Sequence, residues 1–422
     1  MAKIKFIHTA DLHLDTPFKG LSNWNSDLAD KLKNATFKSF KKIIDVCIRR
    51  KTNFLIISGD VFDSENKSLA AQLKFIFELK RLSDKGIPTY FICGNHDPLS
   101  SWLDTLQLPK NVFRFNSSKV ENYTYKKDNI SVADIYGISY QNKVVKKNLA
   151  LKYKLSSNPA PISIAILHGT VGVAGPHENY APFKVEDVAN KNYDYWALGH
   201  IHKRQIIHEL SPTIVYPGNP QGRDFGETGA KGCYLVEINA GNSPQTEFIP
   251  TQLIRFEEVE VDLSDENNID RLSDKIEEAK DKIAVFDENA SYILRITLKG
   301  RTPLHSQLNK PGEIEQLLDL FNEGQLNQTG FTWIDQIELK TQPEIDIEQV
   351  KKGTDFPSEI LKMFSKYEKG SDKLQELINN LDEELTSPQA KRELAELSES
   401  EQKEILEKSK WILLDQLIRE ES

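Results

Sequence analysis

The 422 residues are enough for two or three domains. With 39% hydrophobic, 28% charged and 9% aromatic residues, the composition is that of a soluble globular protein, and no apolar run nears the roughly twenty residues of a membrane span. The balance of 54 basic against 63 acidic residues, −9 overall, argues against nucleic-acid binding by bulk charge and leaves it to bound cations or local basic patches.

Met1-Ala2-Lys3-Ile4 leads into a strand pattern and not a signal peptide, so a cytoplasmic protein without a membrane partner is expected. Ile4 to Ala10 reads as a strand, a short apolar run ended by Asp11-Leu12-His13. Asp27 to Lys51 reads as one helix, because Leu28, Leu32, Phe40, Ile43, Ile44 and Cys47 recur at helical spacing. The next strand, Phe54 to Ser58, ends in Gly59-Asp60. A second helix, from about Ser68 to Lys85, is predicted to bury a face of Leu69, Leu73, Ile76 and Leu79 and to stop at Gly86-Ile87-Pro88. The strand Thr89 to Cys93 then runs into Gly94-Asn95-His96-Asp97. This β-α-β-α-β order predicts a layered α/β domain with parallel pairing. Cys47, Cys93 and Cys233 lie far apart in apolar stretches, as reduced buried thiols do.

From Val112 to Ile138 shorter alternating pieces suggest antiparallel hairpins, and Lys143 to Pro161 is a polar, basic connection. Buried strands return at Ile162 to Leu167, ended by His168, and at Tyr195 to Leu198, ended by Gly199-His200-Ile201-His202. Thr213 to Tyr216 and Gly232 to Ile238 close a first domain, residues 1–254. A second β-α-β-α-β run, between Phe256 and Leu339, predicts a small α+β domain over 255–342. The charged remainder, 343–422, reads as a helical tail with one apolar stripe at Leu374, Leu377, Ile378, Leu381 and Leu385. A second stripe runs through Ile405, Leu406, Ile412, Leu413, Leu417 and Ile418. Such stripes either dock a partner or pack within their own chain.

Five clusters of metal-ligating or proton-moving side chains thus end five predicted strands, and the carboxyl ends of strands in an α/β sheet are where ligands gather. The candidate ligands are Asp11, His13, Asp60, Asn95, His168, His200 and His202. This mixture of carboxylate, amide and imidazole suits Mn²⁺, Fe²⁺ or Zn²⁺ better than an all-oxygen Mg²⁺ or Ca²⁺ cage. Seven ligands exceed what one catalytic ion with an open position takes. Shared by two ions about 3.5 to 4 Å apart, they could acidify a water and neutralise the charge of an in-line displacement. Singly, an Asp-X-His or a Gly-Asp is ordinary turn chemistry; all five in order are not. His8 reads as a packed core histidine, His177, His208 and His305 as surface residues, and the lysine clusters Lys38 to Lys51 and Lys143 to Lys154, each taken alone, as solvated faces.

The ordered motifs resemble the calcineurin-like metallophosphoesterase family. Within it, His8-Thr9-Ala10-Asp11-Leu12-His13-Leu14 and Gly59-Asp60-Val61-Phe62-Asp63 resemble the SbcD-type DNA repair exonucleases. Tyr216-Pro217-Gly218-Asn219-Pro220-Gln221-Gly222-Arg223 is similar to the YhaO-like branch. The resemblance implies a β-sandwich flanked by helices, a small DNA-capping domain and two divalent ions, Mn²⁺ first among them. It places one ion on Asp11, His13, Asp60 and His202 and the other on Asp60, Asn95, His168 and His200, with Asp60 bridging. His96 would contact the phosphate or protonate the leaving oxygen, oriented by Asp97. The implied partners are DNA, an SbcC-like coiled-coil ATPase and a second copy of the chain. The expected function is a metal-dependent DNA nuclease; the alternatives are a docking subunit with incidental hydrolysis or a small-substrate phosphodiesterase.

Overall fold

The computed structural model describes residues 2–16, 26–63, 68–102, 107–172, 180–264, 266, 268–284, 290–368, 376–380, 386–387, 389–392 and 397–420. His177, Leu374, Leu381 and Leu385 lie outside the described residues. The chain divides into two compact units: residues 1–258 with 282–295 and 321–335, and residues 259–281 with 296–320 and 336–422.

The first unit opens with β1 (Lys3–Thr9), α1 (Ser26–Lys33), α2 (Ala35–Arg50), β2 (Phe54–Ser58), α3 (Leu69–Ser83), β3 (Thr89–Ile92) and β4 (Val112–Arg114). It continues with β5 (Glu121–Lys127), β6 (Ile130–Gly137), β7 (Ile162–His168), α4 (Val185–Ala189), β8 (Tyr195–Gly199), β9 (Gln205–His208), β10 (Thr213–Tyr216), β11 (Gly232–Asn239) and β12 (Gln245–Pro250). Two six-stranded sheets form, in the orders β12-β11-β1-β2-β3-β4 and β5-β6-β7-β8-β10-β9. In the first, β1 to β4 are parallel, with Phe6 opposite Phe54 and Ile56 opposite Tyr90. In the second, β6, β7, β8 and β10 are parallel, and His168 stands opposite Gly199.

The strands read as continuous apolar runs because both of their faces are buried, as parallel strands between layers require. Phe6, Phe54, Ile56 and Tyr90 of one sheet meet Ile164, Ile166, Tyr195 and Ala197 of the other in one buried cluster. The alternate residues Ile7, Leu55, Ile57 and Phe91 face Phe40, Ile43, Ile44 and Cys47 of α2 and Phe75 and Leu79 of α3. Behind the second sheet Leu167, Trp196 and Leu198 pack with Tyr153, Val188 and Tyr193. Truncating a ring so enclosed, as in Phe54→Ala, costs about 3 to 5 kcal/mol. The expected sandwich flanked by helices is the observed fold, built so that β1, β2, β3, β7 and β8 all end at the candidate ligands.

Three local expectations are corrected. The helix expected over Asp27 to Lys51 is two, parted at Asn34, whose amide donates to Asp30 O at 3.0 Å and so competes with the helical ladder. The break lets Leu28, Leu32 and Ala35 join Ile254, Phe256, Ile293 and Phe331 in a core separate from that of Phe40 to Cys47. On α3 the buried face is Ala71, Gln72, Phe75, Leu79 and Leu82, so Leu69 and Leu73 are exposed. The register of Phe75 against Phe40 and Phe62 fixes this rotation, with ring centroids 5.5 and 5.7 Å apart. Finally, β4 lies parallel to β3, and the hairpin in this region is β5 with β6.

The second β-α-β-α-β run comprises β13 (Ile254–Asp262), α5 (Ile269–Ala284), β14 (Ser291–Arg301), α6 (His305–Leu308), α7 (Glu313–Asn322) and β15 (Thr332–Gln342), with a sheet ordered β13-β14-β15. In the second unit, α8 (Ile347–Lys352), α9 (Phe356–Glu368) and a closing helix, Glu399–Glu420, follow. Leu361 of α9 and Leu414 of the closing helix are buried with Ile345, and Phe364 with Leu406. Arg301 Nη1 and Nη2 donate to Asp415 Oδ1 and Oδ2 at 2.8 and 3.1 Å, and the guanidinium lies 4.1 Å from the Trp411 ring centroid. The tail therefore packs within its own unit. Of the expected stripe, Leu406 is buried while Ile405, Ile412 and Leu413 are exposed; the missed position is Leu414, about two helical turns on from Leu406.

Candidate metal centre

The turns after β1 and β2 lie against each other: Asp11 N donates to Gly59 O at 3.0 Å, His13 N to Asp60 O at 3.2 Å and Leu14 N to Val61 O at 3.0 Å. Asp11, His13, Asp60 and His200 have φ of 51°, 44°, 50° and 101°. Left-handed backbone at a residue other than glycine costs roughly 1 to 3 kcal/mol, and it concentrates where the fold over-determines a site. Close approach also dictates two glycines. A Cβ on Gly94 would run into the Asp60 carboxylate, and one on Gly199 into Ser58 O.

All seven expected ligands come together. Asp11, His13 and His202 form one group of donors, and Asp60, His168 and His200 another, each with its donor atoms within 4.8 Å. His13 Nε2 lies 3.1 Å from His202 Nε2, and Asn95 Oδ1 lies 2.9 Å from His168 Nε2 and 3.1 Å from His200 Nδ1. Asp60 Oδ2 stands between the groups, 4.0 Å from His13 Nε2 and 3.4 Å from His168 Nε2. His200 N–H donates to both oxygens of Asp11, at 3.0 and 3.1 Å.

Burial shapes the charges. It raises the Asp11 carboxyl, against the pull of His202 and His168. Burial would raise Asp60 too, but His168, His13 and His96 outweigh it and hold Asp60 far below the usual carboxylate range. His168 is lifted to about 9, because Asp60 and Asp11 overcome the desolvation that would lower it. Desolvation prevails at His13, which falls to about 4, and at His8, which falls to about 3. His8 is the packed histidine expected: Nδ1 meets Tyr195 Oη at 2.9 Å and Nε2 meets Ser58 Oγ at 3.0 Å.

Around the centre stand groups that the sequence reading did not assign. Ser58 O lies 2.9 Å from His168 Nδ1, fixing that nitrogen as the donor and turning Nε2 inward. Asp63 Oδ1 is 2.8 Å from His13 Nδ1, and Asp63 O is 3.0 Å from His96 Nδ1. Glu227 Oε1 is 2.6 Å from His202 Nδ1. Arg223 joins the two acids, Nη1 to Asp63 Oδ1 at 3.0 Å and Nη2 to Glu227 Oε1 at 2.8 Å. Hydrogen bonds from His202 and Arg223 outweigh burial at Glu227 and hold it well below its usual range. Asp97, expected to orient His96, is buried and accepts from Gly94 N at 2.9 Å and Val61 N at 3.2 Å, bracing the loop that carries Asn95 and His96. Asp63 lies in the motif Gly59 to Asp63, three residues beyond Asp60, and Arg223 ends the stretch Tyr216 to Arg223; Glu227 had only its charge, in a glycine-rich loop, to mark it.

The calcineurin-like phosphoesterase pattern matches residues 4–204, the span that contains every one of these ligands. The metallophosphoesterase YhaO middle-domain pattern matches residues 256–342. The chain is 33% identical over 417 residues to the uncharacterized metallophosphoesterase YhaO of Bacillus subtilis, covering 99% of this chain and 98% of that one. It belongs to the calcineurin-like phosphoesterase family. The DNA double-strand break repair protein Mre11 of Sulfurisphaera tokodaii is 26% identical over 316 residues, 72% of this chain and 75% of the relative. That of Sulfolobus acidocaldarius is 24% identical over 346 residues, 80% and 86% of the two chains. This member of the calcineurin-like family is thus a metallophosphoesterase related to the DNA double-strand break repair protein Mre11, with histidine and aspartate groups able to hold divalent metal. No helix among the described residues is long and apolar enough to cross a membrane.

Proposed function

We propose that the chain is a DNA nuclease of the SbcD type, hydrolysing phosphodiester bonds at a centre of two divalent ions, Mn²⁺ by preference. The observation that carries this reading is Asp60, a buried carboxylate whose Oδ2 lies within 4.0 Å of a histidine nitrogen of each donor group. The donor set fits such ions: two buried carboxylates, an amide oxygen and imidazole nitrogens converge where hydrogen bonding alone would leave His13 Nε2 facing His202 Nε2. One ion would sit on Asp11, His13, Asp60 and His202, the other on Asp60, Asn95, His168 and His200. When bound, such ions supply Lewis acidity and neutralise charge on the phosphate.

The chain's own residues do the rest. Ser58 O, Asp63 and Glu227 each stand against the outer nitrogen of a proposed ligand histidine and so hold its ring in place. His96 is 37% exposed in its side chain, with Nδ1 held by Asp63 O, so proton donation to the leaving oxygen is assigned to Nε2. The DNA substrate is supported by the Mre11 relatives. Residues 1–254 would act as nuclease domain, 255–342 as DNA-capping domain and 343–422 as the docking element for an SbcC-like ATPase. Exposed Phe356, Met363 and Ile412 on the helices of that element support the last assignment.

Metal-loaded protein is to be assayed on bis(p-nitrophenyl) phosphate and on single- and double-stranded DNA. The proposal expects both diester and DNA to be cut. Turnover of the small diester with DNA untouched would support a small-substrate phosphodiesterase, and DNA binding without turnover a docking subunit.

A further inference from the structure

Residues 135–177 contain no Asp or Glu and carry Lys143, Lys146, Lys147, Lys152 and Lys154, in a chain whose formal charge is −9. The lysine-bearing segment is fastened to β7, the strand that ends in His168. Tyr140 Oη donates to His168 O at 2.9 Å, the Tyr153 hydroxyl donates to Ile166 O, and Ala181 N donates to Val145 O at 2.6 Å. Lys191 Nζ donates to Tyr153 O at 3.0 Å and ties the same loop from the other side.

Beside this loop, where Asn122 of β5 pairs with Tyr136 of β6, lies a cleft of about 590 Å³. Lys119, Lys152 and Lys154 line it together with Ser118 and Ser156, and none of its lining residues is acidic. Its floor is set: Ser156 N donates to Tyr136 Oη at 3.1 Å, and that hydroxyl lies 3.2 Å from Ser156 Oγ. Tyr136 stands opposite Ala165, three residues before His168 on β7. At a rise of about 3.3 Å per residue and a strand spacing of about 4.8 Å, its Cα is roughly 11 Å from that of His168. Tyr136 packs in the cluster behind the second sheet, so the cleft opens on the outer face of that sheet, near the edge where β7 ends in His168.

The geometry points to a strand-binding cleft in which Lys119, Lys152 and Lys154 take the phosphodiester backbone of a nucleic-acid strand a few nucleotides from the bond being cut. This rests on the nuclease reading above. Lysines contributed by two separate segments, one before β5 and one after β6, match successive phosphates better than one small anion, and lysine meets phosphate as a mobile point charge. The cleft volume is within the range that accepts a ligand the size of a nucleotide.

The test is the triple variant Lys119→Gln, Lys152→Gln, Lys154→Gln, with binding of a labelled oligothymidylate followed by anisotropy across a salt series. Three lost contacts to a single strand should reduce the slope of log K against log salt by about 2, while hydrolysis of bis(p-nitrophenyl) phosphate stays at the wild-type rate. A variant that keeps the wild-type slope, while the wild type cuts the oligonucleotide, overturns this inference and leaves the nuclease reading standing. Free thymidylate competing as tightly as the oligonucleotide overturns it too, by showing a small-anion site. A wild type that turns over the small diester but neither binds nor cuts the oligonucleotide sinks the nuclease reading itself, and the inference with it.

Discussion

Glu227 Oε1 lies 2.6 Å from His202 Nδ1, the outer ring nitrogen of a proposed ligand. Arg223 Nη2 also lies 3.1 Å from that nitrogen, but one ring nitrogen cannot serve both partners. The shorter contact makes Nδ1–H the donor to Glu227 and leaves the guanidinium to clamp the same carboxylate at 2.8 Å. His202 Nε2 is thereby left free of that clamp, 3.1 Å from His13 Nε2, where the proposed ion would take it. Glu227→Ala should weaken ion binding about 10- to 100-fold. Calorimetric titration of the metal-free variant with Mn²⁺ checks this; unchanged affinity at both sites would mean that the acid serves only Arg223.

Asp60 allows a sharper test. Because one carboxylate stands between both donor groups, Asp60→Ala should abolish tight binding of two ions and not merely one. Asp11→Ala, which removes a carboxylate assigned to one ion only, should leave the other ion bound. Metal content measured by mass spectrometry separates the two patterns, and a variant at Asp60 that retains two ions removes the bridging assignment.

The strands and their terminal motifs were legible because parallel strands enclosed by two layers appear as unbroken apolar runs, and polar residues at the end of each run have few other uses. What the sequence concealed is what depends on distant partners. The rotation of α3 follows from Phe75 packing on Phe40 and Phe62, which the stripe of Leu69 and Leu73 does not disclose. Glu227 comes 25 residues after His202 across a glycine-rich loop, a separation without periodicity. The break at Asn34 needed knowledge that two cores, not one, wait on either side of it.

His96 donates its backbone N–H to Asp60 Oδ1 at 3.0 Å, so its main chain braces the centre while its ring reaches outward. His96→Ala keeps that amide and should keep both ions. Turnover should fall about 10²- to 10⁴-fold if the ring donates a proton. Single-turnover rates together with metal content decide between roles, since a parallel loss of metal would make the ring a ligand.

The rotation of α3 leaves Leu69, Leu73 and Phe77 in one outward row, with Phe77 62% exposed. Residues spaced by four lie on one helical face, and an apolar row of this kind supports the second copy of the chain expected from the family resemblance. Phe77→Glu should convert a dimer to a monomer in light scattering without changing hydrolysis of a small diester. A wild type that is monomeric at all concentrations ends this reading.

Acid should destabilise the metal-free protein within a defined window. His8 is buried with its value lowered from 6.5 to about 3, so the unfolded chain takes up a proton on His8 long before the folded one does. Stability from this group is complete above pH 6.5 and is lost as pH falls toward about 3. The full effect is on the order of 5 kcal/mol, from roughly 1.4 kcal/mol per unit. His13, lowered to about 4, acts in the same direction. His168, raised to about 9, is protonated in both states below pH 6.5 and adds no slope there; its contribution is lost instead as pH rises through 9. Asp11, raised by burial, binds its proton earlier in the folded state and so opposes the trend. The comparison that isolates His8 is therefore a pair of urea titrations, wild type and His8→Asn, repeated between pH 4 and 7. The variant should be less stable at pH 7, having lost contacts to Tyr195 and Ser58, yet lose less stability on acidification. Parallel pH profiles would show that His8 takes up its proton within the folded protein.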